Sequence, residues 1–304
     1  MKGLISIKRD EFHRQLINDG TWSFTHFNKY NTDRVASNAD TGQKASVILS
    51  NNLLERISKH LSIPIIVHDK KKEGQTVGHS FENACATFIR DTFPKLEMLR
   101  PGRWDIQKVQ QRNNGVLGQY EQYAHLTELA KLANEHETLK NFLGDGYTIA
   151  PDIIISREPE SDLTINHSEM IVDPYSSKYS MIRLENHHTI ESLKLLHASI
   201  SCKFTMRSDR SQNTRTEALN LIRTRKGRTP HIVAVTAEPT ATRISSLALG
   251  TGDMDYVYHF ALHELVECYK DMGDYGEEGL SLLMTMIEGK RLRDISDLPL
   301  DLAI

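Results

Sequence analysis

The chain has 304 residues, 39% of them hydrophobic and 25% charged, with a formal net charge of −3. That length suits one large α/β domain or two small ones with a sizeable core. No apolar run approaches twenty residues, which excludes a membrane-spanning helix, and Lys8, Arg9 and Asp10 interrupt the only early apolar stretch, so no secretory signal is expected. Cys85, Cys202 and Cys268 are odd in number and form no CxxC, which points to a reducing cytoplasm rather than a disulfide framework.

The charge is unevenly spread. Between residues 201 and 230, eight Lys and Arg side chains face only Asp209 and Glu217, a local surplus of six against −9 elsewhere. A basic patch on an acidic body is the footprint expected of a protein that docks a phosphate backbone on one face.

In chain order, residues 9–19 and 43–60 read as helices, the second with Val47, Leu54, Ile57 and Leu61 at helical spacing. Ile63–Val67 is a short apolar piece before a charged turn. From Gly74 a Gly-flanked loop carrying Gln75 leads through a Ser80 cap into a helix ending near Pro94. Glu82 falls in its first turn, where the helix dipole favours an acid. Residues 119–142 read as a helix. Tyr147–Ile155 reads as a buried strand interrupted by Asp152. A carboxylate among isoleucines is costly to desolvate unless a charge such as a metal offsets it, although Pro151 also permits an exposed strand end. A second strand is expected at Met170–Val172, then a polar connection through His187 and His188.

The central stretch is Ser199–Glu217. Ile200, Cys202 and Phe204 alternate with Ser199, Ser201 and Lys203, the period-2 pattern of a strand that turns Ser201 and Lys203 to one side. Helical spacing begins only at about Thr214. Between them lies Arg207-Ser-Asp209-Arg210. Arginine forks bind guanine O6 and N7, and a carboxylate accepts from the cytosine amine, so the trio suits two G·C pairs, whereas an isolated RSDR also reads as a solvated charged loop.

Downstream, His231–Thr236 is a buried strand, followed by Arg243 and the apolar Ile244–Leu249. Met254–Phe260 is a further strand candidate, and helices follow near 259–271 and 276–287. His259 and His263 stand four apart, a zinc-compatible spacing on a helix, but no HExxH accompanies them.

Strands alternating with helices predict an α/β fold with a mixed sheet. Asp152, Lys203 and two further acids then make the carboxylates-plus-lysine set of metal-dependent phosphodiester hydrolysis. No GxGxxG or P-loop supports a small-molecule enzyme.

Pro151-Asp152 with Ser201-Cys202-Lys203, Arg207-Ser-Asp209-Arg210 and Glu217 resembles the PD-(D/E)xK restriction endonucleases of the group that cuts at CCGG. Much longer runs share the likeness, among them Ser37–Asp40, Gly74–Thr76, Tyr123–Thr127, Arg223–Arg228, Ala237–Pro239, Arg243–Ser246 and Ile295–Leu302. The resemblance implies a five-stranded mixed sheet flanked by helices, one restriction-endonuclease domain over 1–304 with an N-terminal helical elaboration to about residue 75. It makes Asp152 the main ligand of Mg²⁺, two ions per site, and gives the role of the acid normally at Ser201 to Glu217, with Glu82 as an outer acid and Lys203 as the catalytic lysine. It assigns the inner CC/GG pairs to Arg207, Asp209 and Arg210, the outer pair to Asp40 and Arg243, and a minor-groove contact to Gln75. It further implies a homotetramer of back-to-back dimers, each gripping one DNA duplex, and cleavage of GCCGGC. One departure is Gly42, where the family pattern has a serine. A DNA-binding protein on a nuclease scaffold without cleavage is the alternative that Ser201 suggests and Glu217 opposes.

Overall fold

The computed structural model describes residues 2–70, 72–109, 116–135, 151–186, 193–206, 208–250 and 252–304. Its N-terminal part begins with α1 (Leu4–Asn18), which turns Phe12, His13, Leu16 and Ile17 inward. A hairpin of β1 (Phe24–Lys29) and β2 (Thr32–Ala36) follows. Its tip, Tyr30-Asn31, has φ of 59° and 58° at both positions, the left-handed geometry that a two-residue hairpin loop requires. Then come α2 (Lys44–Leu61) and the two-residue β3 (Val67–His68), which pairs parallel to β1. This part therefore contains a three-stranded sheet as well as helices.

Helix α3 (Gly74–Thr92) leads to the central sheet. In spatial order this comprises β4 (Trp104–Lys108), β5 (Ile153–Arg157), β6 (Leu195–Lys203), β7 (His231–Thr236), β8 (Tyr256–His259) and β9 (Leu292–Asp294). Pairing is antiparallel from β4 to β6 and parallel from β6 to β9. The mixed α/β class is as expected, but the sheet has six strands rather than five. The longer helices after α3 are α4 (Ala124–Glu135), α5 (Ser208–Thr224), α6 (Ala241–Ala248), α7 (Leu262–Asp271) and α8 (Glu277–Glu288). None among the described residues is long and apolar enough to cross a membrane.

Alternation along β6 decides what each face meets. Cys202 lies beside Cys85 of α3 in the interior, and Phe81 of α3 packs edge-on to Phe204 with ring centroids 5.4 Å apart. Ser199 and Ser201 point the other way, where they share a small cavity with Thr214, Glu217, Ala218 and Leu221 of α5. One connected hydrophobic cluster joins Phe12 and Leu53 of the N-terminal helices to Ile200, Val235, Phe260 and Leu302. The three cysteines are free and buried.

Several expectations need correction. Among the described residues Met170–Val172 forms no strand: the Asn166 side chain takes the Ile171 and Val172 N–H groups and donates to Val172 O, and Met170 is exposed. Ile244–Leu249 belongs largely to α6, whose inward residues Ala241, Ile244, Leu247 and Ala248 have helical spacing. His259 ends β8 while His263 lies in α7, so the two never share a helix face; His259 is fully buried, whereas His263 is exposed. Helix α4 is described from Ala124 only as far as Glu135; His187, His188 and Tyr147–Ala150 lie outside the described residues.

Candidate active site and nucleic-acid interface

Asp152 immediately precedes β5, an interior strand, and is only 5% exposed. Its main chain continues the pairing, with its N–H donated to Ile200 O and its carbonyl accepting from Val109 N. Its Oδ2 accepts from the Cys202 N–H at 2.7 Å and from Lys203 Nζ at 2.9 Å, with Ser201 Oγ at 3.5 Å. A buried carboxylate thus acquires three donors from three consecutive residues of one strand, the kind of partnering that burial of a charge requires. Lys203 closes β6 opposite Thr236, and its carbonyl accepts from Thr236 Oγ1 at 2.9 Å and Ala237 N at 3.2 Å, which fixes the lysine's origin.

Glu217 lines the same small cavity as Pro151, Ser199 and Ser201. The fold therefore brings Asp152, Ser201, Lys203 and Glu217 to one corner of the sheet. Glu82 is placed differently from the expectation. Helix α3 starts at Gly74, not after Ser80, so Glu82 sits in its third turn rather than its first. There it meets Lys108 Nζ at 3.3 Å and His79 Nδ1 at 3.1 Å. Lys108 pairs with Ile153, next to Asp152, so Glu82 reaches the same end of these strands from the α3 side. Among the described residues no three His, Cys, Asp or Glu side chains converge into a metal-holding group.

The base-reading candidates gather near the end of β6. Arg207 lies outside the described residues, and so does the Asp209 side chain. The Arg207–Arg210 stretch was expected to be a connection; instead Ser208, Asp209 and Arg210 form the first turn of α5. Serine and aspartate are residues that helix starts favour, the acid through the dipole. Arg210 is exposed, with Nη1 donating to Thr205 Oγ1 at 3.0 Å. Gln75 is exposed in the first turn of α3.

Arg243 and Asp40, 203 residues apart, form an ion pair. The approach is built by Asn38, which accepts from Trp22 Nε1 at 3.1 Å and donates to Ala237 O at 2.8 Å, tying the N-terminal part to the segment after β7. Asp40 Oδ1 also accepts from Gly42 N at 2.9 Å. A Cβ on Gly42 would stand 3.3 Å from that oxygen, so the departure at Gly42 bears directly on the acid. Helix α2 starts at Lys44 after Gln43, and Asp40 does not cap it.

Glu238, given no role from the sequence, is 1% exposed. It accepts from Met206 N at 3.0 Å and Thr240 Oγ1 at 2.6 Å and lies 3.7 Å from Arg243 Nη1. Burial pushes its carboxyl above the ordinary range, while Thr240, Met206 and Arg243 pull it back. The signal was available: an acid wedged between the apolar β7 and Pro239 raises the same desolvation question as Asp152.

The model of the family described as NgoMIV restriction enzyme matches residues 12–304. The type II restriction enzyme NgoMIV of Neisseria gonorrhoeae is 47% identical over 304 residues, spanning 100% of both chains. A solved restriction endonuclease PspGI-substrate DNA complex aligns with 99% of this chain and 92% of its own at 13% identity, with a TM-score of 0.28, an overlap too loose to bear on the fold. With its paired carboxylate and lysine at neighbouring strand ends, and a family match along almost its whole length, the chain belongs to the NgoMIV restriction enzyme family and is a type II restriction endonuclease.

Proposed function

We propose that the protein cleaves both strands of DNA at a palindromic site containing CCGG, namely GCCGGC cut after the first G to leave a 5′ CCGG overhang, with Mg²⁺ as cofactor. The observation that carries the active site is the 2.9 Å contact between Lys203 Nζ and Asp152 Oδ2, beside the cavity that Glu217 shares with Ser201. Asp152 and Glu217, with Glu82 as an outer acid, offer hard carboxylate oxygens of the kind Mg²⁺ prefers. Two bound ions per site would polarise the scissile phosphate and lower the pKa of a coordinated water. Lys203 keeps a proton at Nζ, sets a positive charge beside the phosphate and orients the attacking water. Ser201 occupies the usual position of a second acid without adding charge.

Arg207, Asp209 and Arg210 read the inner G·C pairs, Arg243 and Asp40 the outer pair, and Gln75 the minor groove. The exposure of Arg210 and Gln75 and the meeting of Arg243 with Asp40 support this reading. The whole chain acts as one restriction-endonuclease domain with an N-terminal elaboration, in the bacterial cytoplasm, as a dimer of dimers that binds two DNA copies. Digestion of a plasmid with mapped CCGG-containing sites, with and without Mg²⁺, tests it. Cutting confined to GCCGGC and abolished by chelation is expected; cutting without any divalent ion would overturn the metal role.

A further inference from the structure

Met206, the residue just before the Arg207–Arg210 run, is gripped at both ends of its backbone. Its N–H donates to Glu238 Oε2 at 3.0 Å, and its carbonyl accepts from Arg243 Nη1 at 3.1 Å. Glu238 itself is immobilised: its other oxygen accepts from Thr240 Oγ1 at 2.6 Å and Thr240 N at 3.2 Å, and its Oε2 lies 3.7 Å from Arg243 Nη1. Arg243 spends its Nη2 on Asp40. A second bridge joins the same two elements, since Ser211 Oγ of α5 lies 3.0 Å from Ser246 Oγ of α6.

We propose that Glu238 is a positioning residue for sequence recognition, which locks the segment carrying Arg207, Asp209 and Arg210 to Arg243, so that the inner and outer base pairs are read as one unit. The inference rests on the base-reading roles given above. When Arg243 turns its fork to a guanine it must loosen its hold on Asp40 or Met206, and a fixed carboxylate beside Nη1 keeps the guanidinium aimed while this happens. Being buried, that carboxylate acts at short range with little screening. It also keeps the Met206 peptide still, and with it the start of α5.

The distinguishing consequence is a linked loss. Glu238→Gln keeps the shape but leaves one hydrogen bond mismatched and removes the charge beside Arg243. Asp40→Asn disturbs only the outer reader. The experiment is cleavage of a duplex pool randomised over six base pairs by wild type, Glu238→Gln, Thr240→Ala and Asp40→Asn, reading the base preference at every position, with thermal melting of each protein. Glu238→Gln is expected to lose about tenfold of the preference at both inner and outer positions, and Asp40→Asn at the outer position only. Thr240→Ala, which removes the hydroxyl donor from one carboxylate oxygen while keeping the charge, should show the same linked pattern more weakly and serves if Glu238→Gln does not fold. A preference profile unchanged at every position, or altered at one position alone, would overturn the proposal. A wild-type profile without CCGG would instead refute the base-reading assignment, a failure seen in a different arm.

Discussion

Lys203 and Asp152 meet at 2.9 Å through Nζ and Oδ2, although they are 51 residues apart and lie on neighbouring antiparallel strands. Removal of Lys203 takes a positive charge from beside the buried Asp152 carboxylate, and removal of Asp152 takes the acceptor from Lys203 Nζ, which sets the first prediction. Lys203→Ala and Asp152→Ala are each expected to lower cleavage roughly 10³-fold or more. Specific DNA binding should survive, because the roles proposed for these groups act on the phosphate rather than on base edges. Single-turnover cleavage with a gel-shift assay in Ca²⁺ checks both halves; undiminished cutting by either variant removes this active site.

Glu217 stands on α5, across a small cavity from Ser201 on β6. Glu217→Ala should be as inactive as Asp152→Ala. Ser201→Glu in the Glu217→Ala background returns an acid to the usual strand position, and partial recovery of the rate is the expected result. Full activity of Glu217→Ala would show that the acid has not moved to the helix.

At the outer base pair, Arg243→Ala should lose roughly 1–3 kcal/mol of discrimination while leaving CCGG itself required. Comparing GCCGGC, ACCGGT and TCCGGA duplexes measures it. Equal cutting of all three by the unaltered enzyme sinks the GCCGGC assignment but not the nuclease.

A palindromic site calls for two-fold symmetry, and a second dimer adds an intramolecular partner at high effective concentration. Plasmids with two sites should therefore be cut faster than plasmids with one, by an enzyme of tetrameric mass in light scattering. Equal rates together with a dimeric mass rule the tetramer out.

Stability should depend on pH through two fully buried histidines. Burial lowers His13 from 6.5 to about 4, with the neighbouring Arg9 charge acting in the same sense, and burial likewise lowers His259 to about 4. The unfolded chain then binds more protons than the folded one between those values. The contribution is complete above pH 6.5, shrinks as pH falls towards 4 and changes little below, by an amount on the order of 3 kcal/mol per histidine. Urea unfolding at pH 7.5 and pH 5 should show it, and His13→Gln should flatten the slope. Asp294 adds a loss at lower pH: burial would raise it, but Arg9 overrides this and holds it at about 2, so its share goes only as pH drops below the usual carboxylate range.

The strand that carries Lys203 was legible because Ser199–Lys203 alternates strictly, and Asp152 because a carboxylate next to three isoleucines demands an explanation. The start of α5 was not. Its inward stripe is Ser211, Thr214, Ala218 and Leu221, all under 5% exposed and correctly spaced for a helix, yet its first half is hydroxylated and invisible to a search for apolar residues. Gly74 and Gly78 hid the start of α3 in the same way, although Val77 stands one turn before Phe81 on its buried side. The meeting of Asp40 with Arg243 depends on Asn38 reaching Ala237, a contact between side chain and backbone that no local pattern encodes.

Strand β5 begins at Ile153, yet the antiparallel ladder between it and β6 gains one more rung, since the Cys202 amide donates to the Asp152 side chain where a backbone carbonyl would ordinarily stand. The oxygen proposed to serve the chemistry is thus also a unit of sheet structure. Deuterium exchange at the Cys202 amide becomes a direct reporter of that carboxylate. It should be slow in the native enzyme and speed up selectively in Asp152→Ala, with no change at Ile200, whose place in the ladder is held by backbone alone.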